Sequence, residues 1–191
     1  MNNEYYDCLV VGAGPAGIFT AIELTRLNKD ARVLIIDSGR NIDSRRCPAR
    51  VTGKCVHCKP CAIVSGWSGA GAFSDGKLSL SSEVGGHITD YIGQKEAAEL
   101  ISYADSIYCD FGASDEVHGL NDKKVDEIRY ECSKHNIQLV PCPVRHLGTE
   151  RAFDVLRAMY VHLVTNTHTT FMELTTAKEI IVRGGRACGA V

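Results

Sequence analysis

The residues best equipped for chemistry lie in two short stretches. The first is Gly12, Gly14 and Gly17, spaced G-x-G-x-x-G directly after the apolar run Cys8-Leu9-Val10-Val11. At that spacing the first glycine lets the chain turn tightly out of a strand, and the second lets backbone approach a pyrophosphate. The third lets the following helix pack closely on the sheet. Such a helix presents unpaired N–H groups and its positive dipole end to phosphate. The second stretch holds Cys47, Cys55, Cys58 and Cys61, four of the nine cysteines. A C-x2-C-x2-C run with a separate Cys-Pro matches the tight loop that wraps a [4Fe–4S] cluster, with Cys47 as the remote ligand. Zinc, which favours two separated C-x2-C pairs, is one alternative. A Cys58/Cys61 redox dithiol among basic residues is another, and no special role is a third. His57 is expected to face solvent.

These stretches need elements to hold them. Pro15 falls in the first turn of a helix, where its missing N–H costs nothing. Ile18, Ala21, Ile22 and Leu24 give that helix an apolar side, with Glu23 and Arg26 polar. A second apolar strand over 32–36 ends at Asp37, twenty residues after Gly17, where a carboxylate accepts hydrogen bonds from a ribose diol. The pattern predicts a βαβ dinucleotide site.

Residues 38–65 show neither helical nor strand periodicity and contain Gly39, Pro48, Gly53 and Pro60. A stretch this long without structure is usually functional or held by a ligand. It is basic, with Arg45, Arg46, Arg50, Lys54 and Lys59, which reads either as a solvated loop or as a surface facing phosphate or an acidic partner. The small residues of Ser65–Leu78 predict a short helix over about 69–74, its N-terminus toward the same pyrophosphate. A glycine-rich hinge is the alternative.

Helices are expected over 87–111, after a cap at Asn121 or Asp122, and over about 150–164 capped by Thr149. The last buries Phe153, Leu156, Met159, Tyr160 and Leu163. Strands are expected at 137–140, 170–174, 177–183 and 187–191, the last two joined at Gly184-Gly185. The fold class is therefore α/β: a Rossmann-like dinucleotide-binding domain over 1–191 with a parallel sheet. It carries a cysteine-bearing loop at 38–65 and a mainly helical insertion at about 87–135. The chain stops inside a strand, so a truncated domain is expected.

Composition narrows the partners. The chain is 45% hydrophobic and 23% charged with a net charge of −2, an ordinary globular balance that offers nothing to nucleic acid. No apolar run approaches the ~18 residues of a membrane span, and the N-terminus lacks the regions of a signal peptide. A cytoplasmic location is expected. There the cysteines outside the 47–61 cluster are expected to be small core residues rather than disulfides.

Several motifs together resemble a known family. Residues 10–17 with Asp37 look like the FAD-binding half of the glutathione-reductase-type flavoproteins. Cys47-Pro48-Ala49-Arg50, the run 55–61, the run 69–78 and Arg145-His146-Leu147-Gly148-Thr149 narrow this. Together they are similar to a poorly characterised bacterial family of FAD-dependent dehydrogenases, over nearly the whole chain. The resemblance implies FAD, with its adenosine end at Gly12, Gly14 and Gly17 and its ribose at Asp37. It also implies that the 65–72 segment meets the diphosphate and that Ala177 contacts adenine through its backbone. The candidate cofactor residues are thus Gly12, Gly14, Pro15, Ala16, Gly17, Asp37, Ser38, Gly66, Gly69, Ala70, Gly71, Ala72, Lys77 and Ala177. Ser68 departs from the pattern, standing where another glycine is expected. The further sheet strand, Gly-Asp motif and substrate domain of such flavoproteins are not in this sequence.

For flavins the isoalloxazine carries the chemistry and the protein supplies position and electrostatics. Asp75 with Lys77, and Arg145 with His146, are the pairs that could face a flavin, and a structural salt bridge or cap explains each equally well. No catalytic residue is assigned. The leading function is an FAD-dependent oxidoreductase passing hydride or electrons, relayed through the cysteines or supplied by NAD(P)H, to a small-molecule substrate or redox partner. An NAD(H) oxidoreductase without flavin and a metal-binding electron-transfer module are the alternatives. Neither substrate nor oligomeric state is legible.

Overall fold

A computed structural model describes residues 5–120 and 123–191 of the chain. They form a mixed α/β structure that divides into two compact units, residues 5–74 with 156–191, and the described residues of 75–155.

The first unit is built on a three-stranded parallel sheet. Strand β1 (Cys8–Val11) leads through helix α1 (Pro15–Leu27) to β2 (Val33–Ile36), which pairs in parallel with β1 from Cys8↔Val33 to Val11↔Ile36. Strand β5 (Thr169–Met172) pairs in parallel with the other edge of β2, giving the order β1-β2-β5. Central β2 is Val-Leu-Ile-Ile, with Val33 and Ile35 buried on one face and Ile36 on the other, as expected for a parallel strand covered on both faces. Ile18, Ala21 and Ile22 bury one side of α1, each large apolar side chain contributing roughly 1.5–3 kcal/mol on full burial. Arg26 stays outside, paired with Glu23 at 2.7 Å.

After β2 the chain runs irregularly, broken only by a single helical turn, α2 (Ala49–Thr52), and a 3-10 turn over Gly69–Phe73. Trp67 welds this stretch to the sheet. It is fully buried, stands edge-on to Tyr160 and Phe171 at centroid distances of 5.0 and 5.5 Å, and donates Nε1–H to the Leu156 carbonyl at 2.9 Å. A Phe would fill much of the same space but lose that hydrogen bond. The unit ends in an antiparallel hairpin, β6 (Ile180–Arg183) and β7 (Arg186–Ala190), turning at Gly184 and Gly185. Both turn glycines have positive φ, which the tight hairpin requires.

In the second unit, helix α3 (Thr89–Asp110) is interrupted at Gly93, whose φ is 79°, and α4 spans Lys123–Lys134. The expected cap of α4, Asn121 or Asp122, lies outside the described residues. Ala97 and Ile107 bury the α3 stripe, while Leu100 is largely exposed. A short antiparallel pair, β3 (Lys77–Ser79) and β4 (Val144–His146), completes the unit. Helix α5 (Gly148–Asn166) starts here and ends in the first unit.

One expected strand is corrected. Residues 137–140 form no ladder, and Ile137 and Val140 are substantially exposed. The Ile137 N–H instead closes the end of α4 on the Cys132 carbonyl. An apolar tetrapeptide without a neighbouring edge has nothing to pair with, and the strand forms further on, at Val144–His146, where β3 supplies one. Thr149 lies inside α5 rather than before it.

Candidate functional site

The glycine turn sits where β1 meets α1. Gly12 has a φ of 100° and its N–H donates to the Ile36 carbonyl at 2.8 Å, tying the turn to the end of β2. A Cβ on Gly14 would meet nothing within 4 Å, whereas one on Gly17 would lie 2.0 Å from the Gly12 carbonyl oxygen and 3.1 Å from Val10 Cγ1. The first glycine therefore turns the chain, the second leaves open space, and the third brings helix against strand. Gly14 is also the N-cap residue of α1 and supplies no side-chain cap, with Pro15 following it. The N–H groups of the first turn are thus left for an external acceptor, beside the positive end of a 13-residue helix.

A second small-residue segment lies beside the first. The Ser68 N–H donates to the Ala13 carbonyl at 2.6 Å, and a Cβ on Gly69 would be 3.7 Å from Gly14 Cα. Gly66, Gly69, Ala70, Gly71 and Ala72 are thereby brought to the same turn as Gly12, Gly14, Pro15, Ala16 and Gly17. Ser68 carries the steric cost of its position: its φ is 67°, a left-handed conformation that suits glycine.

Asp37 joins the pieces. Its Oδ2 accepts from the Ala13 N–H at 2.8 Å, and its Oδ1 accepts from the N–H groups of Gly39 and Gly66, each at 2.7 Å. Three backbone donors fill three of about four carboxylate lone-pair positions, leaving one rather than two for a ribose diol. The sequence placed this carboxylate correctly at the end of β2 but did not show its structural duty. The Thr175 N–H donates to the Asp37 carbonyl at 2.8 Å, which brings the segment bearing half-buried Ala177 to the same end of the sheet. Ser38 is half-buried between Asp37 and Gly39.

Sequence reasoning missed the part played by Arg45. Its residue exposure is 6%, and its guanidinium donates only to backbone carbonyls, those of Ala62, Ile63, Trp67 and Gly69. The same group lies 4.9 Å from the Phe73 ring, as does that of Arg50. Burial lowers the Arg45 pKa from its ordinary value, opposed by the Asp37 charge. One cation thus ties both ends of the 62–69 segment together. The visible signal was a basic residue in a loop rich in backbone carbonyls, which fits a solvated surface equally well.

The metal reading gains no support from the arrangement of the cysteines. Among the described residues no three His, Cys, Asp or Glu side chains are disposed to hold a metal ion. Cys55 and Cys61 are exposed, Cys47 and Cys58 half-buried, and all four are free thiols. The loop is fastened by Arg45 at Ala62 and Ile63 and by the α2 turn at 49–52 rather than by converging sulfurs. These four residues do not fit a [4Fe–4S] cluster or a structural zinc.

The residues proposed to face a flavin belong to the second unit, where each is described by its local bonds. Lys77 Nζ pairs with Asp75 at 2.8 Å on the surface, and that hydrogen bond holds the Asp75 pKa down. Arg145 is buried and grips Asp105 with two bonds of 2.6 and 2.7 Å, while Nη1 donates to the Ser114 carbonyl. The Asp105 contact raises the Arg145 pKa, so this guanidinium is a fixed structural cation. His146 is exposed on β4, opposite Lys77 in register.

No family model matches the chain, and no curated protein does. The solved structures it is similar to include two that match over 97% of its own length. THI4 of Thermovibrio ammonificans shares 14% identity at a TM-score of 0.43, with 46% of that chain covered. L-amino acid deaminase from Proteus myxofaciens, in complex with anthranilate, shares 13% at a TM-score of 0.49, with 42% covered. The chain therefore spans less than half the length of either. Among the described residues no helix is long and apolar enough to cross a membrane.

Proposed function

We propose that this chain is the dinucleotide-binding part of an FAD-dependent oxidoreductase. The observation that carries the reading is the β1–Gly12-x-Gly14-x-x-Gly17–α1 turn, open above Gly14 and uncapped at the helix N-terminus. Gly14 and the first turn of α1 would hold the diphosphate, joined by the backbone of Gly69–Ala72. Asp37 contributes its one remaining acceptor position to the ribose and fixes the turn against Gly66. FAD, when bound, supplies an isoalloxazine able to accept a hydride or electrons. The resemblance of the 69–78 and 145–149 motifs to FAD-dependent dehydrogenases favours flavin over a nicotinamide cofactor as occupant.

The test is flavin binding. The purified chain is titrated with FAD and followed by flavin absorbance and fluorescence, alongside Gly14→Val and a parallel titration with NADH. Saturable FAD binding weakened at least tenfold by Gly14→Val is expected. Equal retention of FAD by the variant would overturn the site, and tight NADH binding with no FAD competition would overturn the flavin assignment.

A further inference from the structure

A second concavity lies within the first unit, and none of its lining residues belongs to the Gly12–Gly17 turn. It encloses about 300 Å³, the small end of the range for ligand pockets. Its charged lining is entirely basic: Arg40, Arg45, Arg46 and Lys59, with the thiol of Cys58 in the wall.

The charge balance is unusual. Arg45 is saturated with hydrogen bonds, yet every acceptor is a neutral carbonyl, so its positive charge is buried without a bonded counter-ion. The side chains of Arg40, Arg46 and Lys59 have no ion-pair partner among the described residues. The nearby carboxylates are already committed: Asp37 to the three amides above, Glu173 to Asn41 and Ser44, and Asp43 to Arg157 at 2.7 Å. Four cations around one small concavity, with a low-dielectric wall behind one of them, focus a positive potential into it. A single carboxylate would neutralise a fraction of this charge. A phosphate matches both the charge and the fork geometry of the Arg40 and Arg46 guanidinium donors, with Arg45 contributing its charge alone.

We infer that this pocket binds the phosphoryl group of a small phosphorylated molecule, independently of the dinucleotide turn. Cys58 lines the cavity, so occupancy shields its sulfur and the thiol reports on binding.

The test is the rate of Cys58 alkylation by iodoacetamide, a neutral reagent, read by peptide mass spectrometry on the native chain. Inorganic pyrophosphate and inorganic phosphate are the probes, with sodium chloride matched for ionic strength. Pyrophosphate is expected to slow Cys58 labelling at least fivefold in a saturable manner, with exposed Cys55 and Cys188 unchanged. Arg46→Ala combined with Lys59→Ala is expected to abolish the protection, and Gly14→Val to preserve it. Labelling insensitive to both probes would overturn the proposal. So would protection spread equally over Cys55 and Cys188, persistence in the double variant, or loss with Gly14→Val. That last outcome would assign the effect to the dinucleotide turn.

Discussion

Gly17 packs so tightly on Gly12 that a single added carbon would stand 2.0 Å from the Gly12 carbonyl oxygen, an atom of backbone that has no flexible way to retreat. Gly17→Ala is therefore expected to cost about 1–3 kcal/mol, the range for overpacking a close contact. Gly14→Ala is its counterpart: φ is −71° and the space is open, so stability should change by less than ~0.5 kcal/mol. Urea denaturation of the two variants separates a packing glycine from a ligand-facing one.

Asp37 holds three amides from three separate segments. Asp37→Ala should destabilise the fold by about 2–4 kcal/mol, since hydrogen bonds to a charged group are each worth roughly 1.5–3 kcal/mol and are not additive. Denaturation midpoints without nucleotide provide the check. A loss of binding in this variant has to be read against that loss of stability, which is why Gly14→Val is the cleaner probe of the site.

Ser68 occupies a left-handed conformation at a φ of 67°. Ser68→Gly should stabilise the chain by about 0.5–1 kcal/mol, the relief of a roughly 1–2 kcal/mol strain less the added entropy of an unfolded glycine. Thermal denaturation should show a higher midpoint.

Arg145 and Asp105 form a nearly buried pair, with side-chain exposures of 7% and 15%. Removing either partner alone leaves the other charge stranded, so Arg145→Met and Asp105→Asn should each cost about 3–5 kcal/mol. The double variant should cost much less than the sum. A double-mutant cycle measures the coupling.

Alkaline pH should weaken the second unit. Burial pushes the Cys109 thiol and the Tyr108 phenol up from their ordinary values; at Cys109, Arg145 opposes the rise and Asp105, Asp115 and Asp110 add to it. A group that holds its proton more tightly when folded gives its full stabilisation below the unfolded pKa, about 8.5 for a thiol. It loses that stabilisation as pH rises through the folded value. The urea midpoint should therefore fall as pH rises above about 8.5, and Cys109→Ser should shrink the drop.

The βαβ core was legible because its signals are local. Three glycines, a proline at the first helical turn and a carboxylate at the end of β2 are each recognised by their spacing within one β-α-β stretch, even though Asp37 reaches amides as far away as Ala13 and Gly66. The β3–β4 pair escaped because three-residue strands carry no periodicity, and residues 137–140 misled because apolar composition does not reveal whether an edge is available. The cysteines show the same limit: C-x2-C-x2-C spacing describes a chain, while a metal site requires side chains to converge. Arg45 was visible only as one basic residue among five, since sequence does not show which cation turns inward to gather carbonyls.

Trp67 is the chain's sole tryptophan, immobilised between Tyr160 and Phe171 and adjacent in sequence to the Gly66 amide that Asp37 grips. The molecule thus carries an intrinsic optical gauge at the base of its glycine turn. Emission from a sealed indole is blue-shifted and shifts red when solvent reaches it, so one unlabelled spectrum reports whether the 65–69 segment is seated. An occupant that absorbs in the near ultraviolet would dim that emission by energy transfer, allowing docking to be timed in a stopped-flow instrument without a dye or a tag.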